Sequence, residues 1–274
     1  MNIAYAAEEI AHEESLSVGQ AILHHVQDTN IFDLWPLGSI HLPKIYIFGI
    51  NFSITKHLVM MWIAAALLVI IFVLINRRQR QIPTGIANLF EAIVVFLRDE
   101  VVIPTMGEAG KRYMSFICTI FFFILFCNLL GLVPYGATAT GNVTVTAALA
   151  FIALVMIQLS GIREHGLLHH LKNLVPSGIP FWLLPIMIPI EIMGQFTKPF
   201  ALCIRLFANM TAGHIVIFSF LGLIFIFGNV LISPISVAFA LFISILEIFI
   251  AFLQAYIFTI LTALFMGMAI HPQH

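Results

Sequence analysis

The sequence has few charged residues. Asp, Glu, Lys and Arg make up 9% of its 274 residues, whereas a soluble domain carries about 25%. Hydrophobic residues make up 61%, and the mean hydropathy is +1.06. A formal net charge of −1 leaves no excess of basic residues to attract nucleic acid. We therefore predict an integral membrane protein with no nucleic-acid partner.

Motifs for disulfides, metals and nucleotides are also missing. The three cysteines fall in apolar segments, which indicates small buried side chains rather than a disulfide framework. Gly107-Glu-Ala-Gly-Lys111 has the wrong spacing for a phosphate-binding loop, and neither H-E-x-x-H nor C-x-x-C occurs. His165 and His169 have i, i+4 spacing, but a metal site needs further ligands. We therefore predict that this chain binds no metal, no cofactor and no nucleotide.

What the sequence does contain is a series of long apolar segments. Crossing a bilayer takes about 20 apolar residues. The block 179–270 is long enough for two crossings, with a breaker at 228–234. Residues 86–102 carry apolar residues at helical spacing among charges, which indicates an amphipathic helix at the membrane interface. Three further crossings are predicted at 58–75, 113–133 and 143–161.

The predicted fold class is therefore all-α. It is a polytopic membrane protein with about five membrane-crossing helices and one interfacial amphipathic helix. The last two crossings form a long hairpin. Each arm would have some 35–45 residues, more than a bilayer needs at about 1.5 Å per residue, so the arms must tilt strongly, bend or break.

A basic cluster at residues 76–80 sets the predicted topology. Such a cluster directly after an apolar span is cytoplasmic by the positive-inside rule. The N-terminus then lies outside and the C-terminus inside. We predict three regions: a polar, acidic extracytoplasmic segment (1–50), three membrane helices with the cytoplasmic interfacial helix (51–178), and the tilted hairpin (179–274), which would conduct ions.

A cation within the hairpin is the strongest sign of function. From Gly178 to the C-terminus only four side chains are formally charged: Glu191, Lys198, Arg205 and Glu247. An arginine at the centre of a bilayer costs from about 3 to more than 10 kcal/mol, and its guanidinium stays charged. We therefore assign Arg205 to a functional site, the alternative being a structural arginine paired to a carboxylate or carbonyl.

Polar residues of the first arm form a stripe. At about 100° per residue, Glu191, Lys198 and Arg205 fall on one face, and Asn209 extends it. His214 lies nine residues after Arg205, on the opposite face. Glu191 would be nearest the cytoplasm, Arg205 in the middle and His214 toward the outside. Titratable groups on both sides of a fixed charge suggest two aqueous half-paths with an electrostatic gate between them.

The second arm supplies partners at matching depths. Residues at equal depth in an antiparallel hairpin have numbers with a constant sum, and one registry pairs His214 with Glu247 and Arg205 with Gln254. We favour a proton relay for the His214/Glu247 pair over interhelical hydrogen bonding alone.

Three other polar residues are weaker candidates. Gln254 and Asn128, the latter in the second span, are as readily explained by hydrogen bonding between helices. Lys198 shares the face of Arg205, yet its ammonium group would reach the inner interface by extending along the helix.

Three segments resemble one family. The run Lys198-Pro-Phe-Ala-Leu-Cys-Ile-Arg-Leu-Phe-Ala-Asn-Met-Thr-Ala-Gly-His214 is similar to the signature of subunit a of F-type ATP synthases, approximately K-P-x-S-L-x-x-R-L-F-G-N-x-x-A-G-[HE]. Gln254-Ala-Tyr-Ile-Phe-Thr and Asn128-Leu-Leu-Gly-Leu-Val-Pro134 resemble two further family segments. The likeness covers roughly residues 57–270. Ala208 stands where many members have Gly, and Phe200 and Cys203 also differ.

The resemblance implies a proton-translocating stator with two offset half-channels. Arg205 matches the arginine that faces the carboxylates of the ring of c subunits and blocks a proton short-circuit. His214 and Glu247 match the outer half-channel pair, and Glu191 matches an acidic residue of the inner one. Polar neighbours of the arginine are matched by Asn209 and Gln254.

The resemblance also implies the assembly and its location. Partners would be the c ring, the peripheral-stalk b subunits and the rest of the synthase, in the inner membrane of a bacterium. ATP chemistry would belong to other subunits. The sequence leaves open whether the ion is H⁺ or Na⁺. A secondary ion-coupled transporter with Arg205 as substrate counter-ion is the alternative function, and a non-conducting scaffold is a third.

Overall fold

The structure is a computed structural model of the chain. It describes residues 19, 31–34, 38–41, 43, 46–47, 50–51, 53–77, 85–133, 136, 138–167, 184–227 and 233–271. Side chains of the strands and of residues 184, 191, 192 and 225 lie outside this description.

Long apolar helices dominate the described residues, and five of them are long and apolar enough to cross a membrane. In order, the helices are α1 (Lys56–Arg77), α2 (Ile86–Phe96), α3 (Ile103–Met106), α4 (Met114–Gly131), α5 (Val143–His165), α6 (Leu184–Phe227) and α7 (Ser233–Ile270). Because lipid offers no partner for backbone groups, a helix that bonds its own backbone is the expected form for such segments. The all-α polytopic fold is confirmed.

The hairpin arms have the predicted lengths. Helix α6 has 44 residues and α7 has 38. At 1.5 Å per residue α6 would extend about 66 Å, roughly twice the hydrocarbon thickness. Two prolines, Pro189 and Pro199, lie inside α6. Each removes a backbone donor and favours a bend, which is one way to accommodate the extra length.

The predicted interfacial helix begins at Ile86, as expected, but the regular α-helix ends at Phe96. A π-helical segment (Leu97–Val102), α3 and a 3₁₀ segment (Gly107–Tyr113) then lead into α4. Phe90 of α2 packs its ring against Phe72 of α1 and against Phe122 and Phe126 of α4, with centroid distances of 5.2–6.4 Å. These aromatic contacts fix one face of α2.

Two short antiparallel strand pairs precede α1. Strands β1 (Ile31–Leu34) and β2 (Gly38–His41) pair antiparallel, with Ile31 opposite His41. Strands β3 (Tyr46–Ile47) and β4 (Ile50–Asn51) form a second antiparallel pair. The sequence analysis predicted no strand in this polar segment, since the strands have only two to four residues and follow no long alternating pattern.

The chain folds as two compact units. Unit 1 comprises Met1–Ala64, Cys127–Asn142 and Phe207–Phe252, and unit 2 comprises Ala65–Phe126, Val143–Leu206 and Leu253–His274. Both units collect segments from distant parts of the sequence. The predicted boundaries after residues 50 and 178 concern membrane topology and stay a prediction.

Candidate functional site

The candidate site in unit 1 is built around His214 of α6 and Glu247 of α7. His214 Nε2 lies 3.9 Å from Glu247 Oε1, and the Glu247 side chain is buried. Neither Glu247 oxygen has a hydrogen-bond partner among the described residues. A buried carboxylate without hydrogen bonds or an adjacent cation is costly, so this geometry suits a group that exchanges a proton with its imidazole neighbour.

Gly213 makes the close approach of Glu247 possible. A Cβ atom at position 213 would lie closer to the Glu247 carboxyl group than non-bonded contacts of Cβ atoms allow. The residue before His214 must therefore be glycine if the Glu247 carboxyl is to stay in place.

A loop side chain bonds the same imidazole nitrogen. Thr138, in the segment between α4 and α5, bonds His214 Nε2 through its hydroxyl. The Thr138 backbone carbonyl accepts a 2.9 Å hydrogen bond from Nδ1–H of His57, which is buried at the start of α1. Because a carbonyl only accepts, the proton on His57 Nδ1 is fixed by this bond. His214 is thus positioned by a segment that is itself anchored to α1.

Asn128 ties the same loop to α7. Thr140 donates to Asn128 Oδ1 at 2.6 Å, and the Asn128 amide donates to the Ala251 carbonyl at 3.3 Å. Both Thr140 and Asn128 are fully buried. Ala251 follows Glu247 by one helical turn. We call His57, Asn128, Thr138 and Thr140 the polar brace.

Arg205 presents a different environment, in unit 2. Its side chain is exposed, and among the described residues it makes no hydrogen bond or ion pair. The adjacent Leu206 is buried, whereas Ile204 is exposed like Arg205. The rest of the chain therefore covers α6 at Leu206 and leaves Arg205 uncovered. An arginine exposed among apolar residues of a helix long enough to cross a membrane indicates a functional site.

The other predicted residues lie in mixed environments. Gln254 is buried in unit 2, Asn209 is exposed in unit 1, and the ammonium group of Lys198 lies 5.0 Å from the centroid of the Phe265 ring. The backbone of Glu191 belongs to α6, but its side chain lies outside the described residues. The structure thus brings His214 and Glu247 together, as the registry of the hairpin predicted.

Sequence reasoning missed several polar contacts. Helical spacing could not find Thr138 and Thr140, because their segment is not an α-helix, and His57 stood at the edge of a span. Gln158 of α5 and Gln195 of α6 bond at 2.6 Å in unit 2. A search for every amide inside the predicted spans would have found that pair.

Fold and site together define a polytopic helical membrane protein. It holds the titratable pair His214/Glu247 in unit 1 and an exposed cation, Arg205, in unit 2. The family model described as the ATP synthase A chain matches residues 58–267. Because this match spans most of the sequence, the chain belongs to the ATP synthase A chain family.

Three relatives illustrate the similarity. ATP synthase subunit a of Chloroherpeton thalassium is 54% identical over 259 residues, 92% of this chain and 77% of the relative. ATP synthase subunit a of Myxococcus xanthus is 53% identical over 229 residues, which cover 82% of this chain and 75% of the relative. ATP synthase subunit a 2 of Prosthecochloris aestuarii is 49% identical over 274 residues, which cover 97% of this chain and 84% of the relative. The chain is thus a multi-pass membrane subunit of an F-type ATP synthase and takes part in proton translocation. Membership favours this prediction over the transporter and scaffold alternatives.

Proposed function

We propose that this chain provides two offset half-channels for protons and that Arg205 separates them. The observation that carries the proposal is the exposed guanidinium on α6 without a hydrogen bond or ion pair to the described residues. Its natural partner is a carboxylate on a neighbouring subunit, and a ring of c subunits would present such carboxylates in turn. Charge attraction across a dry interface explains why a permanent cation is kept there.

Small residues around Arg205 fit a moving partner. Ala201, Ala208 and Ala212 recur at spacings of four, three and seven residues from Arg205 along α6, and all three are exposed. Small side chains let another helix approach closely in a membrane. A passing helix would therefore bring its carboxylate near the guanidinium without a bulky obstacle.

The outer path would run through the pair in unit 1. In the direction of synthesis, a proton reaches His214, passes to the Glu247 carboxyl, and moves on to a ring carboxylate. The 3.9 Å separation between His214 Nε2 and Glu247 Oε1 leaves only a small adjustment before hydrogen-bond distance is reached.

The inner path would release the proton near Glu191 after the ring has turned. Arg205 then attracts the ionised carboxylate as it returns and prevents a direct passage between the paths. Each charge that crosses gains about 2.3 kcal/mol per 100 mV of membrane potential.

The proposed assembly follows from this mechanism. The chain would contact the c ring and the peripheral-stalk b subunits in the inner membrane of a bacterium. Its N-terminal segment would lie outside and its C-terminus in the cytoplasm. Support for this orientation comes from the basic cluster after the first span.

The proposal is tested with Arg205→Ala and Arg205→Lys in inverted membrane vesicles. ATP-driven proton pumping and passive proton leak are measured together, after the amount of assembled complex has been matched. We expect Arg205→Ala to abolish pumping while the leak is preserved or raised, because the separator is gone. Arg205→Lys keeps a cation without the planar fork and should also pump poorly. Normal pumping with a normal leak in Arg205→Ala would overturn the proposal.

A further inference from the structure

We propose that Thr138 is a positioning residue of the outer proton path: its hydroxyl holds the His214 imidazole at the Glu247 carboxyl in both protonation states of the ring. This inference rests on the proposed function, since it assigns a role within the outer half-channel. It starts from one nitrogen, His214 Nε2, which bonds the Thr138 hydroxyl and lies 3.9 Å from Glu247 Oε1.

A hydroxyl is suited to this position because it both donates and accepts. When His214 Nε2 carries no proton, Thr138 Oγ1–H donates to it. When Nε2 carries a proton, Thr138 Oγ1 accepts it, and a small movement of the ring would bring the same N–H from Thr138 to Glu247 Oε1. The ring nitrogen therefore keeps this bond in either protonation state. A methyl group in place of the hydroxyl would remove both bonds at once.

Contacts of the Thr138 backbone and side chain keep its hydroxyl in place. Thr138 is not in a helix, and its position depends on its carbonyl, which accepts from His57 Nδ1 at 2.9 Å and from the Gly141 amide at 2.8 Å. On the opposite side the Thr138 side chain fills the space beside Gly131, where any Cβ atom would overlap it. Backbone anchoring on one side and close packing on the other leave the hydroxyl aimed at His214.

Among the described residues of unit 1, the buried ionisable side chains include Lys56, His57 and Glu247. Glu247 of α7 and the Thr138 hydroxyl both approach His214 Nε2, and His57 of α1 donates to the Thr138 carbonyl. Lys56, next to His57, is also buried in this unit. Loss of the Thr138 hydroxyl would change the balance between imidazole and carboxyl without altering the charge of any of these groups. A changed pH profile is therefore the signature that distinguishes positioning from mere packing.

The test compares Thr138→Val with Thr138→Ser in the complete synthase in inverted vesicles. The pH inside the vesicles, to which the outer path opens, is varied while the external pH is held constant, and ATP synthesis is measured. We expect Thr138→Val to lower the maximal rate about tenfold, the effect of losing one hydrogen bond to a charged group. We also expect its pH midpoint to move by about one unit. Thr138→Ser should restore the wild-type rate within about twofold and the wild-type midpoint.

A matched control is Thr146→Val. Thr146 is equally buried, and its hydroxyl bonds the Val143 carbonyl at 3.0 Å and Cys203 Sγ at 3.4 Å in unit 2. Its loss should leave the pH midpoint unchanged. If Thr138→Val does not assemble, the smaller Thr138→Ala takes its place. A wild-type midpoint in the assembled Val or Ala variant, or a shifted midpoint in Thr138→Ser, would overturn the inference.

The two proposals fail in different ways. Should the Thr138 variants behave as wild type while Arg205→Ala loses pumping, only the role of Thr138 is wrong. Should Arg205→Ala pump normally without leak, the half-channel mechanism itself is wrong, whatever Thr138 does.

Discussion

The two units bury different kinds of polar side chain. In the described part of unit 1 the buried polar residues include the ionisable Lys56, His57 and Glu247. Among the described residues of unit 2 the buried polar side chains are neutral hydroxyls and one amide: Tyr113, Thr146, Ser160, Gln254, Thr259 and Thr262. Several of these hydroxyls bond a carbonyl of their own helix, as Thr259 bonds Ala255 at 2.7 Å.

The difference separates two ways of placing charge in a membrane protein. Unit 1 encloses its titratable pair and supplies the surrounding hydrogen bonds from its own loop and helices. Unit 2 leaves Arg205 exposed, without a hydrogen bond or ion pair to the described residues. In the proposed mechanism the first site is completed within the chain and the second by a ring subunit, so their variants should fail with different signatures.

The largest effect is expected from Glu247→Gln. Gln keeps the shape of the side chain but does not exchange protons, so ATP-driven pumping should fall by about 100-fold or more. Passive leak should fall too, because the separating Arg205 remains while the outer path is blocked. Pumping and leak are measured in inverted vesicles, with Glu247→Asp as the control that keeps a carboxyl group. A raised leak in Glu247→Gln would contradict the claim that Glu247 conducts protons while Arg205 separates the two paths.

A smaller effect is expected from Asn128→Leu. The variant removes the acceptor of Thr140, which leaves a buried hydroxyl unsatisfied at about 1–3 kcal/mol, and it also removes the donor that ties Asn128 to the Ala251 carbonyl. Pumping should drop about tenfold, and the complex should unfold at a lower temperature. Asn128→Asp, which keeps the acceptor for Thr140, is the comparison. Wild-type thermal stability in Asn128→Leu would show that the brace does not hold the loop.

The smallest effect is expected from Gly213→Ala. The new methyl group would push the Glu247 carboxyl away from α6, and because that group ends a flexible side chain, we expect a loss of only about two- to fivefold in pumping. Gly194→Ala, also in α6, is the matched control, since nothing lies within 4 Å of its added Cβ atom. Pumping by Gly194→Ala should equal wild type. Equal rates in both variants would mean that the observed position of Glu247 is not needed.

Much of the fold could be predicted from apolar length alone. The spans predicted at 58–75 and 143–161 appear as Lys56–Arg77 and Val143–His165, because a bilayer-length apolar run leaves few alternatives. The His214/Glu247 pair could also be predicted, since residues at equal depth in an antiparallel hairpin have numbers with a constant sum. Thr138 and His57 were not, because nothing local in the sequence shows which helix a loop folds against. The orientation of Arg205 likewise depends on which face of α6 the rest of the chain covers.

The most direct test of the account is the structure of the assembled membrane complex, resolved to side chains. The account predicts that the Arg205 guanidinium faces a carboxylate of a ring subunit, within about 4 Å when that subunit is opposite α6. It also predicts that His214 and Glu247 stay adjacent inside this chain. An Arg205 that points into lipid, or pairs with an acidic residue of its own chain, would contradict the central claim.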